Sequence, residues 1–229
     1  MRTNDRRGTS EHQFSLPDLT AFGDDHLETR HDYEAIDFVD RDFTGEDASD
    51  ARFLECRLAR CCLDGLSMRR VRLVESLLAD VHGASVDLTD STWRDSRVVG
   101  GRLGAVTLAG VTWTGIRVRG SKLGFMNLAG ARLKDVVFDG CEIGSLDART
   151  AQLRSVAFLD CTIEELNVAG ATLSSVDLSR ARLRVLVGVE SLRGAIVSHE
   201  QLVDLAPLFA AQLGLEVRSD GPDGATDNS

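Results

Sequence analysis

Residues 131–183 read, in blocks of five, ARLKD VVFDG CEIGS LDART AQLRS VAFLD CTIEE LNVAG ATLSS VDLSR ARL. The third residue of every block is apolar, and the first is small or apolar. The same frame extends back to Phe38, since 29 of the 30 residues at every fifth position from Phe38 to Leu183 are apolar and only Gly83 is not. At 43% hydrophobic residues, chance would give about 13. A five-residue repeat therefore organises most of the chain.

A period of five fits neither of the regular secondary structures. Helical burial recurs every 3.6 residues and strand burial every two. A second column, two residues before the first, is small or apolar throughout except at Arg41 and Glu46. Two of every five side chains therefore face inward, which predicts a coil that turns a corner at each repeat.

The repeat resembles the unit A(D/N)Lxx of the pentapeptide-repeat family. The resemblance covers about 36–183 and is clearest at Ala131-Arg132-Leu133, Ala171-Thr172-Leu173, Val176-Asp177-Leu178 and Ala181-Arg182-Leu183. It implies an all-β fold, a right-handed quadrilateral β-solenoid with four repeats per coil and about seven and a half coils. A coil of twenty residues places residues twenty positions apart on top of each other. Residues of equal size recur at this spacing, as Trp93 and Trp113 do, and likewise Phe138 and Phe158. Gly83 removes a core side chain, so a small void or a bulge is expected near His82.

The segments outside the repeat predict caps for the two ends of the solenoid. The expected division is a largely disordered segment 1–30, a solenoid 31–197, a short helical cap 198–218 and a disordered tail 219–229. Four apolar residues of the first segment are expected to fold over the first coil: Phe14, Leu16, Leu19 and Phe22. Ser198 and Gln201 form a capping box, and Pro207 is expected to split the cap into two helices. In the family such a helix also supports dimers, which makes a homodimer through this helix a further expectation.

Composition limits the cellular setting and the chemistry. The net charge is −10, with −4 in residues 1–35, −4 in 184–229 and −2 between them. The 24 Arg against two Lys are typical of a GC-rich bacterial genome. The first residues lack a hydrophobic signal region, and no apolar run is long enough to cross a membrane, so a cytoplasmic protein is expected.

No motif predicts catalysis, a metal site or a cofactor, and a non-enzymatic protein is expected. The five cysteines form no CxxC pair and have no histidines at zinc-site spacing. Cys141 and Cys161 are twenty apart and should stack in neighbouring coils, where a disulfide is geometrically conceivable. Reduced, buried thiols are the favoured interpretation, whereas Cys62 should face outward.

The favoured function is a rigid scaffold for an unidentified protein partner. An apolar strip is predicted on one face at Leu77, Val99, Val137 and Leu159. The family also contains quinolone-resistance proteins that mimic DNA and bind DNA gyrase, which implies the alternative of a type II topoisomerase modulator. Its candidate is an acidic column, Asp47, Asp87 and Asp147.

Another face combines bases with acids at the adjoining corner, and a self-neutralising ladder of exposed ion pairs is expected there. The bases are Arg52, Arg72, Arg94, Arg132, Lys134 and Arg154, and the acids are Glu55, Glu75, Asp95 and Asp135. Direct nucleic-acid binding is not expected, because residues 81–140 carry a net charge of only +3.

Overall fold

The computed structural model describes residues 14–23 and 25–216. It is a parallel β-solenoid followed by one helix, as expected, but it has about nine coils rather than seven and a half. Each residue pairs with the residue twenty positions later, as Trp93 does with Trp113. The coil has four sides, which we number face 1 to face 4 in chain order.

Faces 1 and 2 form one 15-stranded sheet, because three long strands bend from one face into the other. The strands of face 1 are β2 (Asp32–Glu34), β4 (Arg52–Leu54), β7 (Arg72–Val74), β10 (Thr92–Arg94) and β13 (Thr112–Thr114). The strands of face 2 are β1 (Thr20–Ala21), β3 (Ile36–Val39), β5 (Arg57–Ala59), β8 (Leu77–Ala79), β11 (Arg97–Val99), β14 (Arg117–Arg119) and β22 (Ala195–Ile196). The long strands are β16 (Arg132–Asp139), β18 (Gln152–Leu159) and β20 (Thr172–Asp177).

Faces 3 and 4 form the second sheet, of seven strands. The short strand β6 (Leu66–Ser67) lies on face 4. The remaining six strands cross from face 3 to face 4: β9 (His82–Asp87), β12 (Arg102–Thr107), β15 (Lys122–Asn127), β17 (Glu142–Asp147), β19 (Thr162–Asn167) and β21 (Arg182–Val187).

The core contains the two columns that the repeat predicts. Among the 30 residues from Phe38 to Leu183 in the central column, all are buried except Gly83, Val98 and Leu183, which are half-buried. Aromatic rings stack between coils, with the rings of Phe138 and Phe158 4.8 Å apart and nearly parallel. Since each aliphatic side chain lies directly above another, every coil buries the apolar surface of the coil before it.

The residue that ends each repeat makes the corner. In most coils it has a positive φ, and it is commonly Asp or Gly, as at Asp80 (φ 52°) and Gly120 (φ 62°). Asp and Gly tolerate this left-handed conformation better than most residues. The corner between faces 3 and 4 changes along the chain: Gly45 and Gly65 have positive φ there, whereas β9 and the later strands pass it extended.

The expectation of a void or a bulge near His82 is wrong: no extra residue is inserted there, since Cys62 pairs with His82 and Leu66 with Val86. A Cβ atom on Gly83 would lie 2.9 Å from the backbone nitrogen of Asp64, so the backbone itself occupies the space of the missing side chain. One carboxylate oxygen of Asp64 accepts from the backbone N–H groups of Ala84 and Ser85 at 3.1 and 3.2 Å. Gly83 thus allows the close approach at which the corner changes its conformation.

The N-terminal segment is held by the two polar residues of the inner column. Arg41 donates to the carbonyl oxygen of Phe22 at 2.6 Å. Glu46 accepts from the backbone N–H of Leu27 and from the ring of His26, each at 2.8 Å. Residues 14–23 and 25–30 therefore lie against the solenoid, whereas the rest of the predicted disordered segment, residues 1–13 and 24, lies outside the described residues.

The C-terminal end closes with a short 3₁₀ helix η1 (Val189–Ser191), strand β22 and helix α1 (His199–Gln212). Ser198 and Gln201 form the predicted capping box. The side-chain amide of Gln201 also donates to the carbonyl oxygens of Leu178 and Ala181, at 2.8 and 2.7 Å, and so ties the helix to the last coil.

The expectation of two short helices is wrong, since α1 continues through Pro207. Proline removes the hydrogen bond to the carbonyl group four residues earlier. Here that residue is Val203, which is 60% exposed, so water can replace the missing bond. The predicted tail 219–229 lies outside the described residues.

Candidate binding surfaces

The predicted apolar strip lies on face 2 but is not continuous. Leu77 and Val99 are in neighbouring coils, as are Val137 and Leu159. Between the two pairs lie Arg117, which stacks on Val137, and the neighbouring Arg119. Of the four apolar residues only Val99 is largely exposed, at 43%, while the other three are half-buried. The strip is therefore two small patches separated by two arginines.

The N-terminal segment crosses the beginning of this face. Strand β1 pairs with β3 as the first strand of face 2. From there the chain reaches Phe14, whose ring lies over the guanidinium group of Arg97, 5.1 Å from it. Arg97 also donates to the carbonyl oxygen of Gly115 at 3.2 Å, and burial lowers the pKa of its guanidinium group. We call residues 14–19 the strap.

The predicted acidic column lies on face 4 and shapes the backbone there. One carboxylate oxygen of Asp47 accepts from the backbone N–H of Ser49 at 2.8 Å. Asp87 and Asp147 make the same bond to the residue two positions on, at 2.9 and 3.1 Å. Asn127, in the same column, does so at 3.0 Å. These Asx turns require a side-chain oxygen but not a negative charge.

Nearby groups offset much of the charge of this column. Arg149 forms an ion pair with Asp147 at 2.7 Å, and Arg69 forms one with Asp87 at 3.0 Å. The hydrogen bond from Arg149 keeps the pKa of Asp147 below its usual value. Burial raises the pKa of Asp87, but the hydrogen bonds from Thr89 and the nearby Arg69 together outweigh burial and leave it lowered. Asp147 is only 8% exposed, so little of its carboxylate faces solvent.

Ion pairs between neighbouring coils occur in several columns of the solenoid, but few occur on face 1, where the sequence predicts them. Residues twenty apart pair in Arg70–Asp50 at 2.7 Å and Lys122–Glu142 at 2.8 Å, and similarly in Arg57–Asp37, Arg60–Asp40, Arg180–Asp160 and Arg184–Glu164. On face 1 the described residues form a single ion pair among the predicted ones, Arg94 with Asp95 at 3.6 Å. The predicted ladder of ion pairs on face 1 is therefore wrong.

Face 3 carries an open groove of about 860 Å³ with a floor of stacked glycines. A Cβ atom on Gly104 or Gly124 would lie 2.5 Å from the carbonyl oxygen of the preceding coil. Arg102, Lys122 and Glu142 form one wall. The glycines are explained by close stacking of the backbone.

The C-terminal end exposes most of the apolar surface. Ten large hydrophobic residues of the described chain are strongly exposed, and eight of them follow residue 184. They lie on the last coil, on α1 and just beyond it: Val185, Val187, Ile196, Leu202, Val203, Leu208, Leu213 and Leu215. Of the helix residues only Leu205 is buried. This surface, for which the sequence predicts a cap, is the most apolar part of the described exterior.

Four of the five thiols belong to the core. Cys56, Cys61, Cys141 and Cys161 are fully buried, and all five cysteines are free. Burial raises the pKa of Cys56 to about 11. The half-exposed Cys62 lies 3.3 Å from the hydroxyl of Thr44. Within residues 14–23 and 25–216 no three metal-binding side chains come together, and no helix is long and apolar enough to span a membrane.

Comparisons with known proteins give likenesses of fold. No family model matches the chain, and no curated protein matches its sequence. One similar structure is HetL, a pentapeptide-repeat protein involved in heterocyst differentiation regulation in the cyanobacterium Nostoc sp. strain PCC 7120. It is 17% identical and aligns over 74% of this chain and 86% of its own, with a TM-score of 0.41.

Another similar structure is full-length QnrB1, a plasmid-mediated fluoroquinolone resistance protein. It is 16% identical over 80% of this chain and 100% of its own, with a TM-score of 0.35. At these values the comparisons say nothing about function. The repeat of five residues and the four-sided coil of twenty are properties of this chain itself, and its fold is that of a pentapeptide-repeat β-solenoid.

Proposed function

We propose that this protein is a rigid, non-enzymatic scaffold that binds other proteins, and that its C-terminal end is the main docking surface. The observation that carries the proposal is the concentration of exposed apolar side chains after residue 184. Monomeric soluble proteins rarely expose large apolar patches without a use for them. A solenoid also suits this task, because successive coils hold the docking residues in fixed register.

The first occupant that we propose for this end is a second copy of the chain. Val203 and Leu213 on the helix are 60% and 72% exposed, and Val185 on the last coil is 52% exposed. Apolar residues on one terminal element can be buried by the same element of a copy through a two-fold axis. The two patches of face 2, around Val99 and around Leu159, remain available for a different protein.

Size-exclusion chromatography with light scattering tests this proposal directly. Leu202→Asp with Val203→Asp places two charges in the C-terminal surface, and Val99→Asp is the matched control on face 2. We expect the intact chain and the control to be dimers and the double variant to be a monomer with an unchanged circular dichroism spectrum. Two results together would refute the C-terminal docking surface: the intact chain is a monomer, and the double variant binds the same protein partners as the intact chain.

The alternative, a DNA mimic that binds a type II topoisomerase, has less support. It needs a column of exposed carboxylates, whereas Asp47, Asp87 and Asp147 form Asx turns and two of them pair with arginine. Replacing all three by Asn removes the charge and keeps the turn, because Asn127 already makes that turn in the same column. A mimic would lose binding to purified gyrase after this change, whereas a scaffold of the proposed kind would keep its partners.

A further inference from the structure

From β4 to β20, face 1 carries bases and no acids, whereas its first strand, β2, presents Asp32 and Glu34. Two side chains of each coil point outward, which gives fourteen positions from Arg52 to Ser174. Six of these are bases and none is an acid. The bases are Arg52, Arg72, Arg94, Arg132, Lys134 and Arg154, and all six are exposed. In a chain of net charge −10, this face is an exception.

The bases of face 1 have few partners within the protein. Only Arg94 forms an ion pair with another described residue, Asp95, and the separation is long at 3.6 Å. Moreover, Arg52 pairs in register with Arg72, and Lys134 with Arg154. Like charges directly opposite on neighbouring strands destabilise a sheet. Other columns of this solenoid place an acid opposite a base, so the stacked bases of face 1 are not a requirement of the fold.

The remaining outward residues of face 1 are suited to a phosphate backbone rather than to a protein. Six of them can donate hydrogen bonds: Thr92, Thr112, Thr114, Gln152, Thr172 and Ser174. Hydroxyl, amide and cationic groups are the usual donors to phosphate oxygens. Protein interfaces need apolar anchors at their centre. Face 1 offers only Leu54 and Val74, and both are half-buried.

We propose that face 1 binds the sugar–phosphate backbone of a nucleic acid that lies along the axis of the solenoid. The six bases span five coil steps, or about 24 Å at ~4.8 Å per step. The acids Glu55, Glu75, Asp95 and Asp135 follow the adjoining corner, where they repel phosphates and disfavour a strand that crosses the edge. This function is additional to protein binding and does not depend on the C-terminal surface.

The positive charge of face 1 is not visible in the net charge of a stretch of sequence, because any such stretch includes residues from all four faces. Residues 81–140 carry a net charge of only +3, and their bases lie on faces 1, 2 and 3. In the folded chain, residues twenty apart come together, so Arg52 and Arg154 lie on the same surface although a hundred residues separate them. The expectation that nucleic acid is not bound was drawn from that average, and the proposal for face 1 departs from it.

Fluorescence anisotropy of a labelled DNA duplex with the full chain, from low to moderate salt, tests the proposal. For phosphate contacts the logarithm of the association constant falls linearly with log salt, with a slope of about −0.9 per contact. With six phosphate contacts, we expect a slope of about −5.4 for the intact chain. The variant with Arg132→Ser, Lys134→Ser and Arg154→Ser should reduce this slope by about 2.7 and weaken binding at least tenfold at low salt.

The matched control removes three exposed bases from other faces by Arg102→Ser, Arg117→Ser and Arg119→Ser. It changes the net charge equally and should leave the slope nearly unchanged. Glu75→Gln with Asp95→Asn should tighten binding severalfold. No binding at low salt, or equal weakening in the control, would overturn the proposal. Polyglutamate and unlabelled duplex should also be compared as competitors of the labelled duplex. If polyglutamate competed equally well, the proposal would be overturned and face 1 would be assigned to acidic proteins.

Discussion

The ring of Phe14 lies over the guanidinium group of Arg97, three coils away from β3. Phe14, Leu16, Leu19 and Phe22 were all expected to cover the first coil. Phe22 does so, packing 4.5 Å from the ring of Phe38, but the strap continues along face 2. Its inner residues are half-buried, so the strap lies against face 2 without entering the core.

Phe14→Ala should loosen the strap without destabilising the solenoid. A partly exposed cation–π contact contributes about 0.5–1 kcal/mol, so opening of residues 14–19 should become about fivefold more frequent. Hydrogen exchange measured by mass spectrometry should show faster exchange in the strap and unchanged exchange in β16 and β18. Arg97→Lys, which keeps the charge but loses the planar group, should have a similar effect. Slower or unaltered exchange in both variants would show that the contact does not hold the strap.

Much of the fold could be predicted from the sequence because one pattern recurs thirty times. A burial period of five has few structural solutions, and the match of Trp93 to Trp113 indicates the length of the coil. The errors arose at single positions. Gly83 looked like a missing side chain, yet the backbone of Asp64 lies where its Cβ atom would be, and no residue pattern reports that close approach. Pro207 looked like a helix break, but a proline is tolerated where the helix faces water.

The binding surfaces were less predictable, because they depend on what lies beside each residue twenty positions away. Asp147 reads as an exposed acid in the sequence, but in the structure Arg149 and an Asx turn occupy its carboxylate. Arg41 and Glu46 read as failures of the repeat, whereas they hold the N-terminal segment. The apolar residues of α1 are visible in the sequence, but the segment 198–218 is interpreted from the sequence as a cap and not as a docking surface.

Trp113→Phe should be tolerated far better than Trp113→Ala. The rings of Trp93 and Trp113 lie 5.2 Å apart, and neither indole N–H has a partner among the described residues. Phenylalanine keeps a stacking ring and removes a buried unpaired donor, which costs about 1–3 kcal/mol when unsatisfied. Chemical denaturation should therefore show a change within about 1 kcal/mol for Phe and a loss of about 3–5 kcal/mol for Ala. Equal losses would mean that a hidden water satisfies the indoles.

One thiol in five should react quickly in the native protein. Cys62 is half-exposed, whereas the other four cysteines are fully buried. Burial also raises the pKa of Cys61, which makes its reactive thiolate rare near neutral pH. A chromogenic disulfide reagent should label one thiol rapidly and the rest only on unfolding. Cys62→Ser should abolish the fast phase, and a second fast thiol would contradict this assignment of burial.

His26 should titrate above the ordinary histidine value. Its hydrogen bond to Glu46 raises its pKa, so the protonated form stabilises the anchor of the N-terminal segment. A raised pKa means that this contribution is fully present below about pH 6.5 and is lost as the pH rises through the folded-state pKa. NMR titration should show the raised value, and Glu46→Gln should return it to about 6.5. An unaltered titration in that variant would exclude the contact in solution.

Two glycines of the same coil should differ in how much stability is lost when a side chain is added. Gly124 has an ordinary φ, but a Cβ atom there would lie 2.5 Å from the carbonyl oxygen of Gly104. Gly120 has a φ of 62° and open space around it, and Asp80 and Asp160 occupy the same corner column with nearly the same φ. The tight stacking of face 3 therefore forbids a methyl group, whereas the corner accepts an aspartate.

Gly124→Ala should lower the free energy of unfolding by about 1–3 kcal/mol, because neighbouring coils must separate to admit the methyl group. Gly120→Asp should change it by less than about 1 kcal/mol, since Asp tolerates the left-handed region. Urea denaturation of the two variants beside the intact chain measures both values. If Gly124→Ala were neutral, the backbones of neighbouring coils would not be in contact along face 3, and the glycines there would need another explanation. A large loss in Gly120→Asp would instead show that its corner differs from those of Asp80 and Asp160.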